Sequence, residues 1–291
     1  MKYIKLTVGD SFDNKPVLAL LRHLGCSSRI VTKLKQSGGV LVNGSIARTV
    51  DLLKKDDCIE LSFMDESLPI ANPLLNVKIV YDDEDIVVFD KPPFMAVHES
   101  LNYHNDTLAN FFAFKYPSCT FRAINRLDRN TSGLCLVAKN QLAAANLSSS
   151  RGKAPHKTYF AIAAGQLFGE GQIIAPIGRV NDSVIQREVR NDGQYAQTDY
   201  KVIECSKSAT LLEISLATGR THQIRVHFSY IGHPLFGDEL YGGDTGLIER
   251  QALHCGVINF THPLTREEIS VTSALPDDFQ RIMKLFEKAK F

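Results

Sequence analysis

VKIVYDDEDIVVFDKPP, residues 77–93, sets two apolar, β-branched runs on either side of an acidic turn and stops at Pro92-Pro93. Runs of that length and composition predict strand, turn, strand. The same short-strand pattern recurs outward from it. ATLLEISL, 209–216, alternates with Leu212, Ile214 and Leu216 on one face, and HKTYFAIAAG, 156–165, puts Lys157, Tyr159 and Ala161 on one face and Thr158, Phe160 and Ile162 on the other. Helical spacing is confined to roughly 140–150 and 221–231; in the second, Ile224, Phe228 and Ile231 form the apolar stripe and Gly232 marks the stop. Strands outnumber helices and do not alternate with them regularly. That predicts an α+β domain on a mixed, largely antiparallel sheet with flanking helices, and argues against a doubly wound one.

Upstream the pattern differs. In KPVLALLRHLGCSSRIVTKLKQSGG, 15–39, apolar residues fall at helical spacing at 17, 20, 21 and 24 and again at 30, 31 and 34, with Gly25 and the Ser27-Ser28 cap between. VLVNGSIAR, 40–48, follows with Asn43-Gly44 between short apolar runs, the signal of a tight hairpin. A helix–helix–hairpin unit over residues 1–62 is expected, then a linker over 63–75 carrying two prolines, then a larger domain over 76–291.

The 291-residue chain is 44% apolar and 22% charged with mean hydropathy −0.09, enough to bury a sizeable core and too apolar for wholesale disorder. No run approaches a membrane span and the N-terminus lacks an apolar signal core, so a cytoplasmic protein without membrane association is expected, as a monomer. Six scattered cysteines with no CxxC read as buried thiols. Nine histidines without HExxH or a carboxylate-rich loop predict no metal. Charge is uneven: the first 60 residues hold ten Lys/Arg and six Asp/Glu, net +4, so the rest of a chain of net +1 is −3. Arg29, Lys33, Lys35 and Arg48 stand in an acid-free stretch beside the predicted hairpin, a candidate phosphate-contacting face.

INRLDRNTSGLCLVAK, 124–139, places Asp128 between Arg126 and Arg129, ahead of an expected Ser132-Gly133 turn. A neighbouring guanidinium favours the ionised carboxylate, which suits a nucleophile and not a general acid. RLDR alone also fits a turn-fixing aspartate. Tyr159, flanked on its face by Lys157 and Ala161, leaves room for a flat aromatic ligand, though core packing accounts for it equally. ATGRTHQIRVHF, 217–228, opens a helix expected to start at Thr221, with Arg225 in its second turn, one turn after His222. Arg225 between Ile224 and Val226 is expected to be partly buried and to need an anion, with Asp128 the candidate. His222 and His227 are five apart and diverge on a helix, so a shared metal is not expected.

NRLDRNTSGLCLVAK, KTYFA and TGRTHQIRVHF, followed by GHPLFGDELYGG and preceded by DKPP and His98, closely resemble the RluA-type family of RNA pseudouridine synthases over about residues 76–272. GGVLVNG and KKDDCIEL, within residues 11–62, resemble the alpha-L RNA-binding module common in that family. The resemblance implies a cofactor-free isomerisation of specific uridines to pseudouridine in structured RNA, ribosomal RNA before tRNA. It implies Asp128 as the catalytic aspartate, Tyr159 as the active-site tyrosine, Arg225 as the arginine paired with Asp128, and Arg126 in the place of the extruded base. Lys157, Thr221 and His222 are the further substrate contacts expected. Asn125 stands where many members carry His, Asn130 where many carry Asp, and Phe94-Met95 where Gly is frequent. Two other classes fit less of the sequence: an RNA-binding protein without activity leaves the three motifs purely structural, and a glycoside hydrolase pairing Asp128 with Asp238 or Glu239 leaves Arg225 and the basic unit unexplained.

Overall fold

The computed structural model describes residues 3–62, 69–99, 103–148, 154–181, 183 and 185–287. In chain order, β1 (Tyr3–Thr7) precedes helices α1 (Val17–His23) and α2 (Ser28–Ser37), then β2 (Val40–Val42), β3 (Ser45–Ile46) and β4 (Cys58–Ser62). The four strands form an antiparallel sheet in the order β1-β4-β2-β3. The Ser27 side chain accepts from the Ile30 amide, and Gly38 in the left-handed region (φ 62°) ends α2. Asn43 (φ 51°) and Gly44 (φ 79°) make the tight β2–β3 turn, and the Asn43 side chain accepts from the Cys58 amide at 2.8 Å. Leu20, Leu21, Val31 and Leu34 bury against Val40, Ile59 and Leu61.

The larger sheet is built from β5 (Lys78–Asp82), β6 (Ile86–Lys91), β7 (Arg122–Ala123), β8 (Ser132–Ala138), β9 (His156–Ala164), β10 (Glu170–Ile174), and, beyond the hairpin β11 (Ile177–Arg179) and β12 (Arg187–Val189), from β13 (Gln197–Cys205), β14 (Ala209–Leu216), β15 (Leu253–Thr261) and β16 (Glu268–Thr272). Its path is β10-β13-β14-β9-β15-β8-β6-β5, with β16 on β15 and β7 on β8. Among the described residues only β8 and β15 run parallel, so the fold is α+β on a mixed, largely antiparallel sheet. Helices α3 (Leu108–Lys115), α4 (Gln141–Ser148), α5 (Gln223–Tyr230) and α6 (Asp277–Glu287) flank it. β9 shows the expected alternation: Tyr159 and Ala161 enter the main core with Leu134, Leu212 and Phe228, whereas Ile162 joins Leu211, Phe236 and the α6 residues Phe279 and Ile282.

Several expectations shift. Ser132-Gly133 is no turn: both residues already belong to β8, and the turn lies at Arg129-Asn130. The helix expected over 140–150 spans Gln141–Ser148, and positions 149–150 lie outside the described residues. The helix expected from Thr221 begins at Gln223, because His222 adopts a left-handed backbone (φ 57°) incompatible with a preceding helical turn. Of the linker, 63–68 lie outside the described residues; the part after them is tied down, with the Ile70 carbonyl accepting from Asn110 Nδ2 at 2.8 Å and the Asn72 amide donating to the Asn110 carbonyl at 3.2 Å.

Candidate active site

A single row of residues across the sheet locates the site. Register pairs Gly133 of β8 with Cys255 of β15, Cys255 with Tyr159 of β9, and Tyr159 with Ile214 of β14. A Cβ on Gly133 would sit 2.3 Å from the Cys255 carbonyl oxygen, so this parallel crossing needs a residue without a side chain. The loop carrying Asp128 enters the row through β8. Buried side chains fasten it residue by residue: Lys91 Nζ donates to the Arg129 carbonyl (3.1 Å), Arg250 Nη1 to the Asn130 carbonyl (3.2 Å), Gln251 Nε2 to Thr131 Oγ1 (3.1 Å), and Ser132 Oγ lies 3.0 Å from His254 Nδ1. Asn125 is equally fixed, its amide donating to the Leu134 carbonyl (3.0 Å) and accepting from the Leu136 amide (2.8 Å). Asn125 thereby splices the loop to β8.

Arg225 sits in the first turn of α5, not the second, and is 7% exposed. Its Nη1 donates to Asp128 Oδ2 at 3.0 Å, which realises the expected pair. Its stronger partner is Asp238, 2% exposed, which takes Nε at 2.7 Å and Nη2 at 2.8 Å in a bidentate fork. Burial alone would lower the arginine's pKa; hydrogen bonds to and the charge of Asp238, then the charge of Asp128, outweigh it and raise the pKa instead. Asp238 is therefore committed to Arg225, and the carboxylate pair of a glycosidase is not available in it. Asp128 Oδ1 receives no hydrogen bond from the described residues, which leaves it free for substrate.

Tyr241 closes the other side of Arg225, with the guanidinium 4.9 Å from its ring centroid. Its hydroxyl accepts from the Arg187 amide (3.0 Å) and lies 2.9 Å from His222 Nδ1. The other ring nitrogen of His222, Nε2, lies 3.8 Å from Asp128 Oδ2. Burial lowers the His222 pKa against the opposing pull of Asp128, so the ring is neutral at pH 7. Tyr159 is 7% exposed; burial first, then Cys255, Asp128 and Cys135, raise its phenol well above the ordinary range.

A pocket of about 380 Å³ is lined by Arg126, Asp128, Tyr159, His222 and Arg225, with Leu216 and Leu253 as apolar wall. Flat apolar walls with a few converging polar groups suit a small planar ring. Arg126 is exposed at its rim and makes no hydrogen bond or ion pair with the described residues. Two expected contacts are not brought in: Lys157 does not line this pocket, because it lies two residues back along β9, and Thr221 lines an adjoining groove. His227 is buried away from the site against Thr198 and the Ala175 carbonyl, and His233 lies 2.8 Å from the Ala164 carbonyl. The sequence offered Asp238 only as a glycosidase carboxylate, not as the partner of Arg225, and did not single out Tyr241, although both stand in the GHPLFGDELYGG motif; a buried arginine with two guanidinium edges to satisfy was the available signal.

On the N-terminal unit, Arg29 and Lys33 lie one turn apart on α2, Lys35 is exposed farther along the same helix, and Arg48 is held in an exposed pair with Asp51 at 3.1 Å. Among the described residues, Asp83, Asp85 and His262 bring possible metal ligand atoms within 4.8 Å. His262 Nδ1 accepts from the Leu264 and Thr265 amides, so Nε2 bears the proton and donates to Asp83 at 3.1 Å; that trio fixes a turn.

A family model for RNA pseudouridylate synthases matches residues 85–230, half of the chain and all but one wall of this pocket. The chain is an RNA pseudouridine synthase of the RluA type. This synthase is 40% identical to the uncharacterized RNA pseudouridine synthase YjbO of Bacillus subtilis, across 90% of its own length and 95% of that protein's. It is 35% identical to the ribosomal large subunit pseudouridine synthase D of Xanthomonas campestris, across 94% and 88% of the two chains. Human RNA pseudouridylate synthase domain containing 1 shares the fold, with a TM-score of 0.56, 24% identity, and coverage of 73% of this chain and 95% of that one. The synthase is thus an isomerase acting on RNA. No helix among its described residues is long and apolar enough to cross a membrane.

Proposed function

We infer that the synthase isomerises specific uridines of ribosomal RNA, without a cofactor, using Asp128 on a uridine swung out of its stack. The observation that carries this reading is the Arg225 bridge, which holds one oxygen of Asp128 at the pocket while the other stays unbonded. The choice of ribosomal RNA over tRNA rests on relatives named for the large ribosomal subunit. The reaction breaks the C1′–N1 bond, turns the uracil and rejoins it through C5, moving one proton from C5 to N1. Atoms balance within the nucleotide, so no external group is consumed. An ionised Asp128 either attacks the sugar or takes a proton from it; both require the anion that Arg225 stabilises.

Tyr159 stacks on the uracil. Its phenol keeps its proton at neutral pH, so the free enzyme presents the ring and not a phenolate. Arg126, at the rim without a hydrogen-bond partner among the described residues, fills the gap left by the extruded base, which offsets part of a flipping cost of a few kcal/mol. His222 sets its Nε2 edge beside Asp128, 3.8 Å from Oδ2. In the N-terminal unit, Arg29, Lys33 and Lys35 supply phosphate contacts, as an alpha-L module would. Pseudouridine mapping of ribosomal RNA and tRNA from cells carrying Asp128→Asn or Asp128→Ala is the test. Loss of defined ribosomal sites in both variants is expected; substantial isomerisation by either one rejects Asp128 as the acting group.

A further inference from the structure

Beside the catalytic pocket, and sharing Arg220 with it as a common wall, lies a larger groove of about 800 Å³. Arg179, Arg187, Arg220 and Thr221 line it, with Asp192 as its single acid. Arg179 and Asp192 also border a further cleft of about 650 Å³ that adds Arg190 and Asn181. Arg190 and Asp192 cancel each other in a bidentate pair at 2.5 and 3.0 Å, so the remaining three arginines leave the groove net positive. This is not compositional, since the chain beyond residue 60 is net −3.

The arginines are set on rigid supports. Arg179 ends β11 and is exposed, with no side-chain hydrogen bond or ion pair among the described residues. Arg220 is anchored through Nε to the Tyr195 carbonyl at 3.0 Å, which leaves its two terminal nitrogens facing no protein acceptor among the described residues. Arg187 begins β12; its amide donates to the Tyr241 hydroxyl of the catalytic cluster, and its Nη1 donates to the Ile185 and Gln186 carbonyls, each at 3.0 Å. Gly178, Gly193 and Gly219 are among its lining residues, and the Arg190 side chain packs over Gly178, where a Cβ would meet its Cδ at 2.3 Å. Tyr195, an aromatic residue 53% exposed, directly follows the lining residue Gln194, and its carbonyl is the one that anchors Arg220.

We propose that this groove is a phosphodiester track that carries the single-stranded RNA flanking the flipped uridine on one side, with Arg179, Arg187 and Arg220 on successive phosphates and Tyr195 stacking a base. Guanidinium forks on phosphate plus a sequence-tolerant aromatic platform is how single-stranded nucleic acid is held without reading its sequence. The proposal rests on the reading that Asp128 acts on an RNA uridine, and Arg220 as shared wall supplies the continuity: a strand leaving the pocket passes it first.

The test uses the full chain in an Asp128→Ala background, which cannot turn substrate over, with a fluorescent 20-nucleotide oligouridine as probe. Single-strand binding weakens with salt by about 0.7 logarithmic units per phosphate contact, so at 0.1 M salt each lost arginine should weaken binding about fivefold. Arg179→Gln is expected to show that loss with its reduced salt slope, and Arg179→Gln/Arg220→Gln about 25-fold, while Arg179→Lys restores most of it. Lys201→Gln, an exposed charge outside the groove, should leave the slope unchanged. Equal affinity and slope in Arg179→Gln and the double variant overturn the track. So does a loss reproduced by Lys201→Gln, which would mark general charge attraction. Urea midpoints equal to the parent's certify folding, and since no arm measures pseudouridine formation, failure of the Asp128 reading is registered separately by mapping.

Discussion

At the scale of residues, the site depends on one guanidinium shared unequally between two carboxylates. Asp238 takes two short bonds in full burial and Asp128 one longer bond at the pocket, so Asp238 fixes the guanidinium and Asp128 receives what is left. Removing one member of a buried pair costs about 3–5 kcal/mol, because the other charge stays desolvated. Asp238→Ala is therefore expected to lose about that much in urea unfolding. Asp238→Asn, which has one acceptor for two donors, should lower kcat at least about tenfold with KM little changed; unaltered kcat there would remove Asp238 from the positioning of Arg225. Tyr159 allows a cleaner separation of ring from hydroxyl. Tyr159→Phe keeps the stacking face and should bind RNA as the native chain does, whereas Tyr159→Leu should bind about 1–3 kcal/mol more weakly. Equal binding by the leucine variant would refute the stack. The sequence made Arg225 and Asp128 partners because a buried arginine needs an anion. It did not choose Asp238, since two carboxylates were eligible and only the turn at Gly237 brings the second one round.

At the scale of elements, β8 and α5 carry the site because both are held from behind by buried polar contacts. Gln223, Arg225 and His227 are three polar residues in an eight-residue helix whose first six positions are buried, and each is fully engaged. On the sheet side, His254 of β15 holds Ser132 at the entry to β8. Burial pushes the His254 pKa from 6.5 down to about 4, with the Asp90 charge opposing and Arg250 reinforcing. The unfolded chain then binds this proton more readily than the folded one between those values. The sign follows: stability is complete above about pH 6.5 and falls as pH drops toward 4, by about 2 kcal/mol at pH 5. Urea midpoints at pH 7 and pH 5 should show that loss in the native protein and much less of it in His254→Asn; an identical loss in both would assign the acid sensitivity elsewhere. Periodicity found α5 but misplaced its start, because the left-handed turn at His222 depends on its contacts with Tyr241 and leaves no trace in spacing.

At the scale of the whole molecule, the small N-terminal sheet is docked, not tethered. Leu142 of α4 is fully buried in the N-terminal core, and Asn146 Nδ2 donates to the Leu24 carbonyl at 2.7 Å. Cutting away residues 1–62 would uncover Leu142, so charge substitution probes this unit more cleanly than truncation. Arg29→Gln/Lys35→Gln is expected to weaken RNA binding and to reduce its logarithmic salt slope by about 1 to 2. An unchanged slope would take phosphate contact away from this face. Arg48 is a weaker candidate, since Asp51 already accepts from both its side chain and its amide.

What the amino-acid order determined by itself was everything local: the strand–turn–strand of 77–93, the alternation in 209–216, the Asn43-Gly44 turn, the Ser27 cap, and the three motifs that mark an RNA pseudouridine synthase. These follow from backbone sterics and side-chain period, which act over a few residues. Tertiary structure alone decided that Asp238 outranks Asp128 at Arg225, that Tyr241 orients His222, that Lys157 stays outside the pocket, and that distant arginines at 179, 187 and 220 share one groove. Each of those is a contact between segments far apart along the chain. Which of several eligible partners meet is set by the parallel β8–β15 crossing and the packing around it, a geometry that no window of the sequence contains.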